Sequence, residues 1–90
     1  MASGKSLQVE VVSHEGRLWH GAALSVQVPT VDGSLGVLPG RQPLLAQMGE
    51  GTVTVTCASE VMSFAVIGGF ASVDSDFVTV VADHATVTEQ

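Results

Sequence analysis

Apolar residues fall on alternate positions through most of this chain, and a period of two commits those stretches to strands. In "LQVEVV", Leu7, Val9 and Val11 share one face; in "LSVQVP", Leu24, Val26 and Val28 do so opposite Ser25 and Gln27. "TVTVTC" sets Val53, Val55 and Cys57 against three threonines. Successive side chains of a strand point to opposite faces, so each pattern describes a half-buried strand with a core side and a solvent side. The valines and threonines are β-branched, which favours the pleated conformation over a helix. By contrast, "VMSFAVI" and "FVTVVA" are apolar at nearly every position, as expected of strands covered on both faces. Such strands are either central or lie under a partner.

Turn chemistry punctuates the strands at Gly16, Asp32-Gly33, Gly40, Gly49-Glu50-Gly51, Gly68-Gly69 and Asp74-Ser75-Asp76. A recurrence of about ten residues predicts an all-β fold, a two-sheet antiparallel β-sandwich of about nine or ten short strands. A chain of 90 residues holds one hydrophobic core. Residues 1–6 are expected to be a flexible N-terminus, 7–83 the sandwich, and 84–90 a short C-terminal tail. Thr86, Val87 and Thr88 are poor helix formers, so no terminal helix is expected.

Charge and chemistry remove several function classes. The net charge is −6 and the only lysines and arginines are Lys5, Arg17 and Arg41, so nucleic acid and anionic lipid surfaces are repelled. No window approaches the roughly 18 apolar residues of a membrane-spanning helix, so direct lipid insertion is not expected. Cys57 stands alone, which forbids a disulfide framework and reads as a small hydrophobe in a reducing compartment. His14, His20 and His84 form no H-x-H or H-E-x-x-H pattern, and Asp74 and Asp76 read as turn caps, so no metal is expected. The "GEG" and "GG" stretches precede no helix start, so no nucleotide or other cofactor is expected. Ser13-His14-Glu15 reads as a strand-ending turn, because adjacent side chains there point apart and rarely meet as nucleophile and base. Trp19 reads as core filling. An enzyme is not expected. With 46% hydrophobic and 13% charged residues, the chain has more apolar surface than its core can hide, and a covering partner would explain it.

The densest backbone control lies in "DGSLGVLPGRQPLL", residues 32–45, where glycines and prolines specify a path and leave little side-chain chemistry. With that block, the opening "LQVEVVSHEG", Trp19 two residues before Gly21, "VQVP", Gly51, "GGF" at Gly68 to Phe70 and "VTVVAD" at Val78 to Asp83, the chain resembles the N-terminal β-sandwich domain of the ε subunit of bacterial and chloroplast F-type ATP synthases. The likeness spans residues 7 to 83. It implies a non-catalytic rotor subunit of the central stalk, bound to the γ subunit and to the c-subunit ring, that couples ion-driven rotation to ATP synthesis. It also implies a peripheral place on the cytoplasmic face of the bacterial plasma membrane. Carried over by position, the c-ring-facing loop would include Ser34, Arg41 and Gln42, and the γ-facing surface Ser13, Leu44, Ala46 and Met48. Strand alternation puts Leu44, Ala46 and Met48 on one face and Leu45 with Gln47 on the other, so only one set can meet γ. The family often carries an acid where Ser34 stands and a histidine where Arg41 stands. The family's helical hairpin would begin just after "VVAD", where this chain continues only to Gln90; a short ε form without hairpin-based inhibition or nucleotide binding is therefore expected. The alternative reading is a small-ligand or metal-binding β-sandwich module, which would need polar residues converging inside a pocket.

Overall fold

Phe64 and Val66 point into the core from one half of a long strand, and Ala71 and Val73 from the other half. The inward positions change from even to odd numbers between them, at Gly68 and Gly69, whose φ angles are +71° and +105°. Two residues in this left-handed region bend the strand and turn its inner face toward a different layer. The computed structural model describes residues 6–88, and among them eight strands. They are β1 (Leu7–Ser13), β2 (Gly16–Ala23), β3 (Ser25–Thr30), β4 (Gly33–Val37), β5 (Leu44–Gln47), β6 (Glu50–Thr56), β7 (Val61–Asp74) and β8 (Phe77–Thr88).

The β7–β8 hairpin runs through both layers. Its turn residues Ser75 and Asp76 have φ of 54° and 64°, the paired positive angles of a tight two-residue hairpin. The part nearest the turn pairs with β5 on one side and β1 on the other, so the first layer reads β5-β7-β8-β1-β2. Beyond the glycines the same two strands continue into a second layer, β4-β3-β6-β7-β8. Leu7, Val9, Val11, Val78 and Val80 from the first layer meet Val26, Val28, Val53, Val55 and Phe64 from the second in one buried cluster. The rings of Trp19 on β2 and Phe64 on β7 lie 6.5 Å apart across the gap.

The all-β sandwich is the expected fold, with differences of detail. Gly68-Gly69 reads as a turn in the sequence, yet it is a bend inside one continuous strand; two strands each serving both layers replace separate short ones. One pairing is parallel, between β1 and β8. The two are remote in sequence, so no tight turn forces them to run in opposite directions. Residues 84–88, expected as a tail, form the second-layer half of β8, so the sandwich extends to Thr88. Of the expected flexible segment 1–6, all but Ser6 lies outside the described residues. Leu24, expected inward, is 47% exposed because it precedes β3 and sits in the turn from β2, where its N–H donates to the Thr56 carbonyl at 2.7 Å.

A side chain at Gly69 would run into the Val81 carbonyl and sit 2.8 Å from the Ala82 Cα, whereas one at Gly33, also at positive φ, would meet nothing within 4 Å. Gly69→Ala is expected to cost at least about 3 kcal/mol, and Gly33→Ala only the conformational strain of about 1–2 kcal/mol. Urea denaturation of the two variants measures the difference. Equal losses would contradict the close crossing at Gly69.

Candidate docking surfaces

Strand register lines up side chains on the outer face of the first layer. Gln47, Phe70, Val81 and Val12 form one row across β5, β7, β8 and β1, and Leu45, Ser72, Thr79 and Glu10 form the next. Leu45, Phe70 and Val81 are 70%, 53% and 44% exposed, and with Ser72 and Thr79 they line one shallow depression. No charged side chain lines it. Glu10 is occupied by Arg17, whose Nε donates to its Oε2 at 2.9 Å. The second layer presents a different outer face. Thr52, Thr54 and Thr56 of β6 stand beside Ser25 and Gln27 of β3, and Thr86 and Thr88 lie on β8. Two large apolar residues of β7 interrupt this polar face, Ile67 beside Glu50 and His84 near the bend and Val61 beside Thr56 at the far end.

Exposed apolar surface carries a free-energy penalty that a partner can remove, at about 25 cal/mol per Å² buried. The first-layer face therefore has the properties of a docking surface, and the second-layer face those of a solvated one.

β5 settles the alternation. Met48, just past its end, is 2% exposed within the core, and Leu44 and Ala46 are half-buried on the same side. The face of β5 presented outward carries Leu45 and Gln47, so of the expected γ-facing residues Leu44, Ala46 and Met48 look inward. Ser13 is also buried, its Oγ accepting the Glu15 N–H at 3.1 Å across the β1–β2 turn. His14 turns away from Ser13, its Nδ1 lying 2.6 Å from the Asp83 carbonyl oxygen, so Ser13-His14-Glu15 makes no nucleophile and base.

The block "DGSLGVLPGRQPLL" is not one loop. Gly33–Val37 is strand β4, so Ser34 is a strand residue, its Oγ accepting from Gln27 Nε2 at 3.4 Å. The loop proper is 38–43. It is fixed where the Gly40 N–H donates to Asp76 Oδ1 at 2.7 Å, the turn-capping role expected of that aspartate. Arg41 and Gln42 are exposed beside this anchor, and among the described residues Arg41 has no ion-pair or hydrogen-bond partner. Ser34 lies instead along a groove shared with Leu35, Leu44 and Leu45.

Cys57 is half-buried just after β6. Burial first, and the Glu60 carboxylate second, push its thiol up, so at neutral pH it stays protonated and behaves as a small hydrophobe. The Leu45–Phe70–Val81 cluster was not among the residues singled out from sequence. Its signal was the two-sided apolar character of "VMSFAVI" and "FVTVVA", which announced covered strands without saying which positions remain outside.

Residues 6–88 match the family model for the ATP synthase delta/epsilon chain β-sandwich domain. Among curated relatives, the ATP synthase epsilon chain of Corynebacterium jeikeium is 48% identical over 82 residues, which cover 89% of this chain and 67% of the relative. That of Micrococcus luteus is 45% identical over 80 residues, 88% of each. Among solved structures, a chain of the Euglena gracilis mitochondrial ATP synthase superposes with a TM-score of 0.86 at 19% identity, over 97% of this chain and 56% of that one. A chain of the Tetrahymena thermophila mitochondrial ATP synthase central stalk and c-ring gives 0.78 at 14% identity, over 94% and 69%. These two likenesses concern the fold.

Proposed function

Because the chain belongs to the family of ATP synthase delta/epsilon chain β-sandwich domains, we propose that it is an ε-type rotor component that joins the γ subunit to the c ring. Subunits of this family are non-catalytic, and so is this chain. It would sit peripherally on the cytoplasmic face of the bacterial plasma membrane as part of the synthase, moving with the central stalk while ion flow turns the ring.

The observation that supports the γ assignment is that strand register gathers the exposed side chains of Leu45, Phe70 and Val81 into one uncharged depression on the first-layer face. A rotor part must bind its neighbour tightly and in one orientation. A rigid sheet face serves both needs, because its side chains are fixed by register before the partner arrives. The outward residues of β5 and the bent strands would meet γ, while Leu44, Ala46 and Met48 support them from the core side. The loop 38–43, held by Asp76, would present Arg41 and Gln42 to the polar loops of the ring, with Ser34 on the adjoining edge of β4.

Leu45→Asp and Phe70→Asp are each expected to weaken γ binding by roughly 10- to 100-fold, the scale of losing one buried apolar side chain. Thr54→Asp on the other face should bind as the wild type does. Titration calorimetry of the variants with purified γ reads this directly; undiminished binding by the folded Leu45 and Phe70 variants would overturn the assignment.

Arginine cannot lose its proton near neutral pH, whereas histidine titrates there. Removing an exposed ion pair costs only about 0–1 kcal/mol, so Arg41→Ala should loosen retention on c-ring-containing membranes slightly, without release from γ. Arg41→His should make retention stronger at mildly acidic than at mildly alkaline pH. If wild type, Arg41→Ala and Arg41→His behave alike at both, Arg41 is a solvated charge with no part in ring contact.

A further inference from the structure

Where β8 passes from the first layer into the second, two histidines that are 70 residues apart in the chain come together. His14 stands in the β1–β2 turn and His84 begins the second-layer half of β8; their ring centroids are 4.9 Å apart with planes at 88°. The Nδ1 of His14 lies 2.6 Å from the Asp83 carbonyl oxygen. A carbonyl only accepts, so in neutral His14 Nδ1 carries the proton and Nε2 keeps a free lone pair. That arrangement, one ring nitrogen donating to a main-chain carbonyl while the other is left open, is how proteins orient histidines that bind metals. No hydrogen bond engages the His84 ring among the described residues, so a nitrogen lone pair is free there too.

From this geometry we propose that His14 and His84 form a two-histidine site for a divalent transition-metal ion of the zinc, nickel or copper type. Two imidazoles bound to one ion at about 2.0–2.1 Å from each nitrogen have ring centres roughly 5 Å apart when the angle at the metal is near tetrahedral. The observed 4.9 Å falls at that separation, and turning the two exposed side chains about their own bonds would aim a nitrogen of each at one ion. Among the described residues no three His, Cys, Asp or Glu side chains converge, so water fills the remaining positions and the site is a bidentate one of modest affinity. Both ligands are neutral imidazoles, which suits these ions better than magnesium or calcium, which prefer oxygen donors. Bound metal would tie the β1–β2 turn of the first layer to the second-layer half of β8 beside Gly68 and Gly69. Binding only the folded arrangement, it would raise the unfolding temperature. Nothing in the local sequence around either histidine announces this site, because the fold alone brings them together.

The test is titration of the tag-free full chain with Zn²⁺ and Ni²⁺, followed by calorimetry and thermal unfolding. Saturable one-to-one binding with a rise in unfolding temperature is expected. His14→Ala and His84→Ala should each weaken it at least about tenfold, and His20→Ala, at an exposed histidine on β2, should leave it unchanged. As a check independent of any variant's folding, NMR of the wild-type imidazoles should show His14 and His84 responding together to Zn²⁺ while His20 does not. No binding up to millimolar metal, equal binding by all three variants, or His20 responding in place of the pair would each overturn the proposal.

Discussion

Both layers of this sandwich hang on one close approach, the contact of Gly69 with the Val81–Ala82 backbone. At that point β7 and β8 cross from one sheet to the other, and a single added carbon would meet main chain that cannot move aside. The crossing gives each layer half of the same hairpin. The layers are therefore joined by continuous hydrogen-bonded strands as well as by the apolar core between them. A layer displaced relative to its partner would have to break β7–β8 pairing that runs from Asp74↔Phe77 to Ser63↔Thr88. For the rotor role proposed above this would be a useful property, because the two outer faces keep a fixed relation to each other.

The same crossing creates the difference between the two outer faces. The inward parity of β7 switches at the bend, so Phe70 and Val81 are turned outward in the first layer, and the register sets Leu45 beside them. In the second layer the alternation leaves threonine, serine and glutamine outside. The second-layer face is thus mostly polar, with Ile67 and Val61 as exposed apolar exceptions, whereas the first-layer face gathers Leu45, Phe70 and Val81 into one apolar cluster. Around the edge, Asp76 holds two segments at once. Its carboxylate accepts the Gly40 N–H, and its carbonyl accepts the Gln8 N–H at 2.8 Å. The loop bearing Arg41 is in this way tied to the hairpin that spans both layers.

The sequence made the regular parts legible. Alternation in β1, β3 and β6 named Val9, Val11, Val26, Val28, Val53 and Val55 as core, and all six are buried. Period-two patterns report local geometry, so they succeed where one strand has one wet side. They fail where geometry is set from afar. Gly68-Gly69 looks like a turn because paired glycines generally are one; only the Val81–Ala82 backbone, distant in sequence, makes it a crossing. For the same reason residues 84–88, read as a tail, are strand, since their pairing partner is the far half of β7. On β5 the alternation correctly divided the residues into two sets. Which set is buried depends on the core beneath: Leu44, Ala46 and Met48, the set expected to meet γ, lie on the inward side, and Leu45 and Gln47 face out. The block from Asp32 to Leu45 carried the family likeness, yet its role as strand plus anchored loop required the contact with Asp76.

The claim that the first-layer face is the γ-docking surface is tested most directly by methyl and aromatic NMR of the chain with and without γ. The signals of the Leu45 and Val81 methyls and the Phe70 ring should shift or broaden on binding, while the methyls of Thr52, Thr54 and Thr56 keep their positions. Shifts confined to the threonine face, with Leu45, Phe70 and Val81 undisturbed, would contradict it.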